Sequence, residues 1–102
     1  MKVFKDYKEA CHRLKQKYKD YDNVFLNMQY TGWVKPHKDS ETRPLLCEII
    51  GNNSYMFFHD GIFTEIKSGN CIMFDCRKTH ALFSKFPEEY FEANIYRLTE
   101  RV

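Results

Sequence analysis

The stretch SYMFFHDGIFTEIKSGNCIMFDC, residues 54–76, decides the fold of this chain. Two runs of strand-forming residues flank Asp60-Gly61, a dipeptide that favours a tight two-residue hairpin turn. The second run, residues 62–67, alternates between two faces in the way that a half-buried strand does. A further turn at Ser68-Gly69-Asn70 then leads into a nearly continuous apolar strand. The stretch therefore predicts consecutive antiparallel strands.

Similar short runs lie on both sides of this stretch. They are residues 23–34, with a bend or bulge at Thr31-Gly32, and residues 45–50, 81–86 and 93–100. Residues 87–92 suggest a loop or a short turn of helix. Some seven strands at intervals of about 8 to 12 residues, joined by turns, are typical of an antiparallel sandwich or barrel. A jelly-roll or cupin-like barrel suits a chain of 102 residues best.

The N-terminal stretch has a different period. Its apolar residues recur at offsets of three and four, which predicts an amphipathic helix over residues 1–21 that packs on the barrel: Val3, Phe4, Tyr7, Ala10, Cys11, Leu14 and Tyr18. We expect one domain over residues 1–102, with the β core over 23–100. Residues 1–20 hold seven Lys/Arg against three Asp/Glu. This lysine face is either simply solvated or contacts nucleic acid or an acidic protein.

Composition and cysteine usage restrict the class of protein. Apolar residues make up 43% of the chain, so a packed core is feasible, and the net charge of only +2 argues neither for nor against a polyanionic partner. The four cysteines form no CxxC pair, and no apolar run resembles a signal peptide or a membrane span. We therefore expect a cytoplasmic, reduced protein with no membrane partner, whose cysteines pack as small hydrophobes. Cys71 and Cys76 lack the second pair that a zinc site would need.

The triplet His37-Lys38-Asp39 lies in a polar segment bounded by two prolines. On an extended backbone, residues i and i+2 project to the same face, so the imidazole and the carboxylate are able to converge. His80, which follows the apolar strand by a short loop, is the obvious third ligand. Two imidazoles and one carboxylate form the facial site of non-haem Fe(II) oxygenases, which leaves positions open. Alternatively, Asp39 caps a turn and His80 is bonded to the backbone.

The order of these motifs resembles a known family. His-x-Asp is followed by Arg43 before a strand, then the hairpin, then SGNCIMFD (68–75), His80 and NIYRL (94–98). This order is similar to the double-stranded β-helix core of 2-oxoglutarate/Fe(II)-dependent dioxygenases, in particular their aspartyl/asparaginyl β-hydroxylase-like branch. The resemblance covers roughly residues 30 to 98. It implies a mainly β fold, a double-stranded β-helix (jelly-roll/cupin-like) with the N-terminal amphipathic helix.

The resemblance also implies an activity. His37, Asp39 and His80 would be the catalytic residues and the ligands of Fe(II), and 2-oxoglutarate would be the co-substrate. Arg97 would bind the distal carboxylate of 2-oxoglutarate, a task that suits its planar fork, and Arg43, near the mouth, would contact the co-substrate or the substrate. The reaction would hydroxylate an unidentified substrate, with a protein side chain favoured over nucleic acid or a small molecule. A homodimer that completes the pocket is compatible with so short a chain.

Two other functions stay open. The chain would be a non-catalytic jelly-roll that binds a protein or nucleic acid, or a metal-bound cupin-like enzyme that does not use 2-oxoglutarate. In those cases Arg43 is solvated and Arg97 pairs with a nearby carboxylate such as Glu89. Three aromatic residues near the expected mouth are able to line a substrate face or to pack in the core: Tyr30, Trp33 and Tyr96.

Overall fold

The computed structural model describes the backbone of residues 1–102 and the side chains of residues 1–19 and 27–102. Over this range the chain forms nine strands and one helix. In chain order the elements are β1 (Lys2–Phe4), α1 (Tyr7–Leu14), β2 (Tyr18–Thr31), β3 (Trp33–His37), β4 (Leu45–Ile50), β5 (Ser54–His59), β6 (Ile62–Lys67), β7 (Cys71–Phe74), β8 (His80–Ser84) and β9 (Tyr90–Glu100). Among the described residues, no helix has the length and apolar character needed to cross a membrane.

The strands form two antiparallel sheets with a core between them. The larger sheet has the order β1-β7-β4-β9-β2, and the smaller sheet has the order β3-β8-β5-β6. Ile49 and Phe91 from the larger sheet pack with Tyr55 and Ile66 from the smaller one, and all four are buried. Burial of such side chains from both inner faces holds the two layers together. The expected mainly β fold with an N-terminal helix is confirmed.

The hairpin that the sequence predicted is present with the predicted bounds. β5 and β6 pair in register from Ser54↔Lys67 to His59↔Ile62, and Asp60-Gly61 connects them. Both turn residues have positive φ, 47° and 89°, as a type I′ turn requires. The local sequence is therefore sufficient to specify this part of the small sheet.

The helix is shorter than predicted. It covers Tyr7–Leu14 instead of residues 1–21, and its first turn is capped by the Asp6 side chain, which accepts a hydrogen bond from the Glu9 backbone N–H. The residues before it pair with β7, and those from Tyr18 onward pair with β9. Sheet pairing thus overrides the helical period at both ends. The predicted helix end and strand start fall on residues 20–26, which lie outside the described side chains.

The helix nevertheless packs as an amphipathic element. Its buried residues Ala10 and Leu14 lie against the outer face of the larger sheet, where they join Leu46 and Leu98 in a second core cluster. The lysines of this region remain on the solvent side. The larger sheet is consequently covered on both faces, whereas the outer face of the smaller sheet is not covered by any described element.

Two predicted boundaries are wrong. The bend predicted at Thr31-Gly32 is present, but it divides the predicted strand 23–34 into β2 of the larger sheet and β3 of the smaller sheet. Residues 90–92, predicted as a loop or helical turn, are the start of β9. Both differences arise because long-range pairing between strands decides where a strand begins.

Gly32 is the point at which the chain passes from one sheet to the other. Its backbone N–H donates to the Glu89 carbonyl (2.8 Å) and its carbonyl accepts from the Ser84 N–H (2.9 Å). Its φ is +79°, and a Cβ at this position would lie 2.5 Å from the Pro87 carbonyl oxygen. We expect Gly32→Ala to lower the free energy of unfolding by about 2–4 kcal/mol, measured by urea denaturation.

Gly69 provides the matched control for this substitution. It also has a positive φ, +91°, but an added Cβ would have no heavy atom within 4 Å. Gly69→Ala should therefore lower the free energy of unfolding by only about 1 kcal/mol, which is the cost of placing alanine at a positive φ. Equal losses in the two variants would show that the close approach to Pro87 contributes nothing.

The cysteines behave as the composition predicted. Cys47, Cys71 and Cys76 are buried free thiols, and Cys11 is partly buried. Burial raises the pKa of the Cys47 thiol to about 12, so this thiol stays protonated and packs as an apolar group. Cys71 and Cys76 take no part in the one potential metal-binding group found among the described side chains.

Candidate metal centre

Three side chains named from the sequence meet at one end of the barrel. His37 is the last residue of β3, His80 is the first residue of β8, and the two are direct partners across these strands. Asp39 Oδ2 lies 3.5 Å from His37 Nε2 and 3.4 Å from His80 Nε2. The ligand atoms all lie within 4.8 Å of one another. Three ligands at about 2 Å from one ion are about 3–4 Å apart, so a small closure would let them hold a metal.

A β-bulge turns His37 toward the interior. Val34 pairs with Leu82 and His37 pairs with His80, so β3 uses one residue more than β8 between these pairs. Without the extra residue, His37 would face away from Val34, because side chains alternate along a strand. Pro36 lies in the bulge, on an edge strand where its missing N–H costs no ladder bond.

Asp39 is positioned by a loop contact and not by strand alternation. It lies two residues beyond the end of β3, and its backbone N–H donates to the Cys76 carbonyl (2.8 Å). This bond joins the loop after β3 to the loop before β8. The two segments that carry the three potential ligands are therefore fastened to each other.

Both histidine rings are oriented in the same way. His37 Nδ1 lies 2.7 Å from the Lys35 carbonyl oxygen, and His80 Nδ1 lies 2.8 Å from the Lys78 carbonyl oxygen. A carbonyl only accepts, so each Nδ1 carries a proton, and each Nε2 faces Asp39. Such backbone contacts fix the tautomer of ligating histidines in metal sites. The backbone bond of His80 was one of the alternatives from the sequence, whereas that of His37 was missed, although both partners lie two residues before the histidine.

Burial favours the neutral form of His80. Its side chain is buried, and desolvation lowers its pKa below the usual value, whereas the hydrogen bond to Lys78 acts in the opposite direction. A neutral imidazole is the form that binds a metal ion. Asp39 is 49% exposed, so it supplies a carboxylate at the solvent side of the cluster.

A cavity of about 100 Å³ extends from this cluster into the barrel. Apart from the three potential ligands, its wall is almost entirely aliphatic and aromatic, with the Tyr30 hydroxyl as a further polar group. Burial is the main cause of the raised pKa of Tyr30, so the phenol stays protonated and is able to donate. The cavity thus excludes water from one side of the cluster and leaves the other side open.

His59 is the third histidine on this end of the small sheet. It is the partner of His80 on β5, so His37, His80 and His59 form a row across three strands. Its Nε2, however, bonds the Asp75 carbonyl oxygen at 3.0 Å. His59 therefore lies next to the cluster without belonging to it among the described groups.

The two arginines named from the sequence bind a carboxylate of the protein itself. Arg97 Nη1 donates to Glu41 Oε2 (3.0 Å) and Arg43 Nε donates to Glu41 Oε1 (3.2 Å). The Arg43 backbone N–H and these guanidinium bonds hold the pKa of Glu41 down at about 2. Neither arginine lines the cavity, but Arg97 is the register partner of Leu45, which does.

Arg97 also has a donor that is not used. Its Nε is buried and has no hydrogen-bond partner among the described residues. A buried donor without a partner is unusual and indicates a site for an acceptor. The alternative that Arg97 pairs with a nearby carboxylate is confirmed, but the partner is Glu41 and not Glu89, which accepts from Asn53 and the Tyr55 hydroxyl.

The three aromatic residues expected near the mouth are separated by the fold. Tyr30 lines the cavity. Tyr96 belongs to the core cluster under the helix, where it contacts the Tyr7 ring. Trp33 is 54% exposed on the outer face of the small sheet. Only Tyr30 is therefore placed to meet a molecule in the cavity.

The fold and the cluster together define a cupin-like jelly-roll with a His-Asp-His group able to hold a metal ion. A predicted oxalate decarboxylase from Thermotoga maritima has a similar structure, with a TM-score of 0.51 and 23% sequence identity over 69% of this chain. The match covers 62% of that protein's chain. At this level of identity the likeness concerns the fold. No protein-family model matches the sequence, and no curated protein matches it.

Proposed function

We propose that the protein is a non-haem Fe(II) oxygenase that uses 2-oxoglutarate as its co-substrate. The observation that carries this proposal is the convergence of two Nε2 atoms and one carboxylate oxygen, with both rings fixed by backbone carbonyls. Two imidazoles and one carboxylate are the donor set of the facial non-haem iron sites. No thiolate is present in the cluster, which argues against a structural zinc site.

The three residues fit a ferrous ion with open coordination positions. His37, Asp39 and His80 would hold it, and the bound ion would supply the activation of O₂. The protein would contribute ligand orientation through Lys35 and Lys78, and the apolar wall would keep water away from the reacting group.

Arg97 supports the use of a dicarboxylate co-substrate. It lies on the strand beside the cavity wall, and its buried Nε has no acceptor among the side chains that the structure describes. A carboxylate would satisfy that donor together with Nη2, because Nε–H and Nη2–H lie on one edge of the guanidinium and bind a carboxylate through two parallel bonds. Glu41 bonds Nη1, on another edge of the guanidinium, so it competes with a second carboxylate through its negative charge.

The cavity size bears on the substrate. At about 100 Å³ it is well below the roughly 300–1,000 Å³ of pockets that enclose a whole small molecule. The cluster itself lies at the open end, with Asp39 half exposed. A single group that protrudes from a larger molecule fits this arrangement, which favours a protein side chain as the substrate.

The proposal is tested by measuring the binding and turnover of 2-oxoglutarate in the wild-type protein and in variants of Arg97 and Glu41. We expect anaerobic Fe(II) and 2-oxoglutarate to give a visible charge-transfer band, and oxygen then to yield succinate. Arg97→Met should weaken 2-oxoglutarate binding about 10- to 100-fold, because it removes charge-assisted hydrogen bonds, and should leave metal affinity unchanged. Glu41→Gln should strengthen 2-oxoglutarate binding, since the side chain that competes for Arg97 loses its charge. Metal binding without a band, without succinate and without an effect of either variant would contradict the proposal.

One observation favours a second candidate, a metal-dependent cupin-type enzyme that does not use 2-oxoglutarate. Both arginines at this end of the barrel are already bound to Glu41. In that case Fe(II) or Mn(II) would still bind, and neither Arg97→Met nor Glu41→Gln would change its affinity. A non-catalytic binding module, in contrast, would bind neither ion at the cluster.

A further inference from the structure

The outer face of the smaller sheet carries a row of aromatic rings. Trp33 on β3, Phe83 on β8, Phe63 on β6 and Phe58 on β5 follow one another with centroid separations of 5.5, 6.5 and 4.9 Å. Trp33 and Phe63 are 54% and 60% exposed. The row crosses all four strands of the sheet, and we refer to these four residues as the aromatic face.

These rings are not needed for the core. The strand neighbours of Trp33, Phe83 and Phe58 point inward, since Val34 and Leu82 line the cavity and Phe57 belongs to the main core cluster; on β6 that cluster takes Ile66, three residues after Phe63. The solvent side of an antiparallel sheet is normally polar. A contiguous apolar patch on such a face is therefore a sign of binding.

Lysines surround the aromatic face. Lys35 follows Trp33 by two residues on β3, Lys67 ends β6 opposite Ser54, and Lys85 lines a shallow groove beside Phe83. All three are exposed, and none forms an ion pair with a described residue. Glu65, in the same groove, is the acidic residue on this face. Flat rings and surplus positive charge are thus combined on one surface.

We propose that the aromatic face binds single-stranded nucleic acid. Bases would stack on Trp33, Phe83 and Phe63, and the phosphates would contact Lys35, Lys67 and Lys85. Stacking on exposed rings is tolerant of sequence, and lysines along the backbone path supply the electrostatic part of the affinity. The site is on the reverse side of the strands that carry the histidines, so the inference does not depend on the proposed oxygenase activity.

A second copy of the chain fits this face less well. If two copies packed face to face, each would bring three lysines to the interface and only Glu65 to offset their charge. Like charges across an interface lower the affinity. Four strands about 4.8 Å apart and five or six residues long present roughly 350 Å². A stable dimer buries about 800 Å² per partner. The area suits a segment of a few nucleotides.

The single tryptophan of the chain makes the experiment specific. Titration with the oligonucleotide (dT)12 should quench Trp33 fluorescence to saturation. With about three phosphate contacts, raising the salt from about 50 to 200 mM should weaken the affinity roughly 20-fold. By anisotropy of labelled (dT)12, Trp33→Ala and Phe63→Ala should each weaken binding about 10-fold or more, and Trp33→Phe should stay within about threefold.

Control variants separate this surface from the two other regions of interest. The double variant Lys8→Gln/Lys15→Gln on the helix side, and Asp39→Asn in the metal cluster, should leave (dT)12 affinity within about twofold. Circular dichroism melting shows that each variant is folded. The proposal is overturned by an absence of quenching, by loss of binding in the helix variant only, or by a concentration-dependent dimer in sedimentation that Trp33→Ala disrupts.

Discussion

Replacement of Asp39 by asparagine should lower the affinity for Fe(II) or Mn(II) at least about 100-fold, because it removes the only charged ligand of the cluster. The substitution keeps the shape of a side chain that is half exposed, so the fold should be unaffected. Affinity is measured by anaerobic calorimetry. The wild-type protein should also gain about 2.7 kcal/mol of stability at a metal concentration 100 times its dissociation constant, and the variant should gain almost none.

His59→Gln is the matched control for this prediction. His59 lies on the same end of the same sheet and is the direct strand partner of His80, but its Nε2 is bonded to the Asp75 carbonyl. Its replacement should change metal affinity by less than about threefold. Equal losses in the two variants would mean that the metal is held by a diffuse group of donors and not by the His-Asp-His cluster.

Replacement of Phe91 by alanine should lower the free energy of unfolding by about 3–5 kcal/mol. Phe91 is fully buried between the sheets, and its ring lies 5.4 Å from that of Tyr30 and 5.2 Å from that of Tyr55. Alanine would remove these contacts and leave a cavity that both tyrosines border. Because domains of this size are stable by only about 5–15 kcal/mol, the variant should be close to unfolding at room temperature.

Urea denaturation with the variant Phe86→Ala as control measures this effect. Phe86 is 55% exposed, so its truncation should cost no more than about 0.5 kcal/mol. A similar cost for both substitutions would show that the packing around Phe91 does not determine stability.

The hairpin could be predicted from the sequence because its information is local. Asp60-Gly61 fixes the turn, and the turn fixes the register of β5 on β6. The helix was overextended because its period continues to Tyr18, whereas the chain there pairs with β9. That long-range contact cannot be inferred from the spacing of apolar residues or from the helix propensity of residues 15–18.

The sequence identified the three residues of the metal cluster, but not the backbone features that position them. The spacing of His37 and Asp39 and the position of His80 after a strand identified three residues that the fold brings together. The bulge in β3 and the bond from Asp39 to Cys76 depend on pairing across the sheet, which the sequence does not show. The contact of Arg97 with Glu41 was missed for the same reason, since 56 residues separate the two.

The loop between β3 and β4 has a thermodynamic consequence. Asp39 and Glu41 are separated only by Ser40, so the potential metal ligand and the carboxylate held by Arg97 share one short segment of backbone. Any free energy that passes between them acts in both directions, because linkage between two binding equilibria is reciprocal. If an anion bound to Arg97 changes the affinity for the metal by some factor, the bound metal changes the affinity for that anion by the same factor. Measuring either affinity with and without the other ligand therefore gives the coupling energy of this loop.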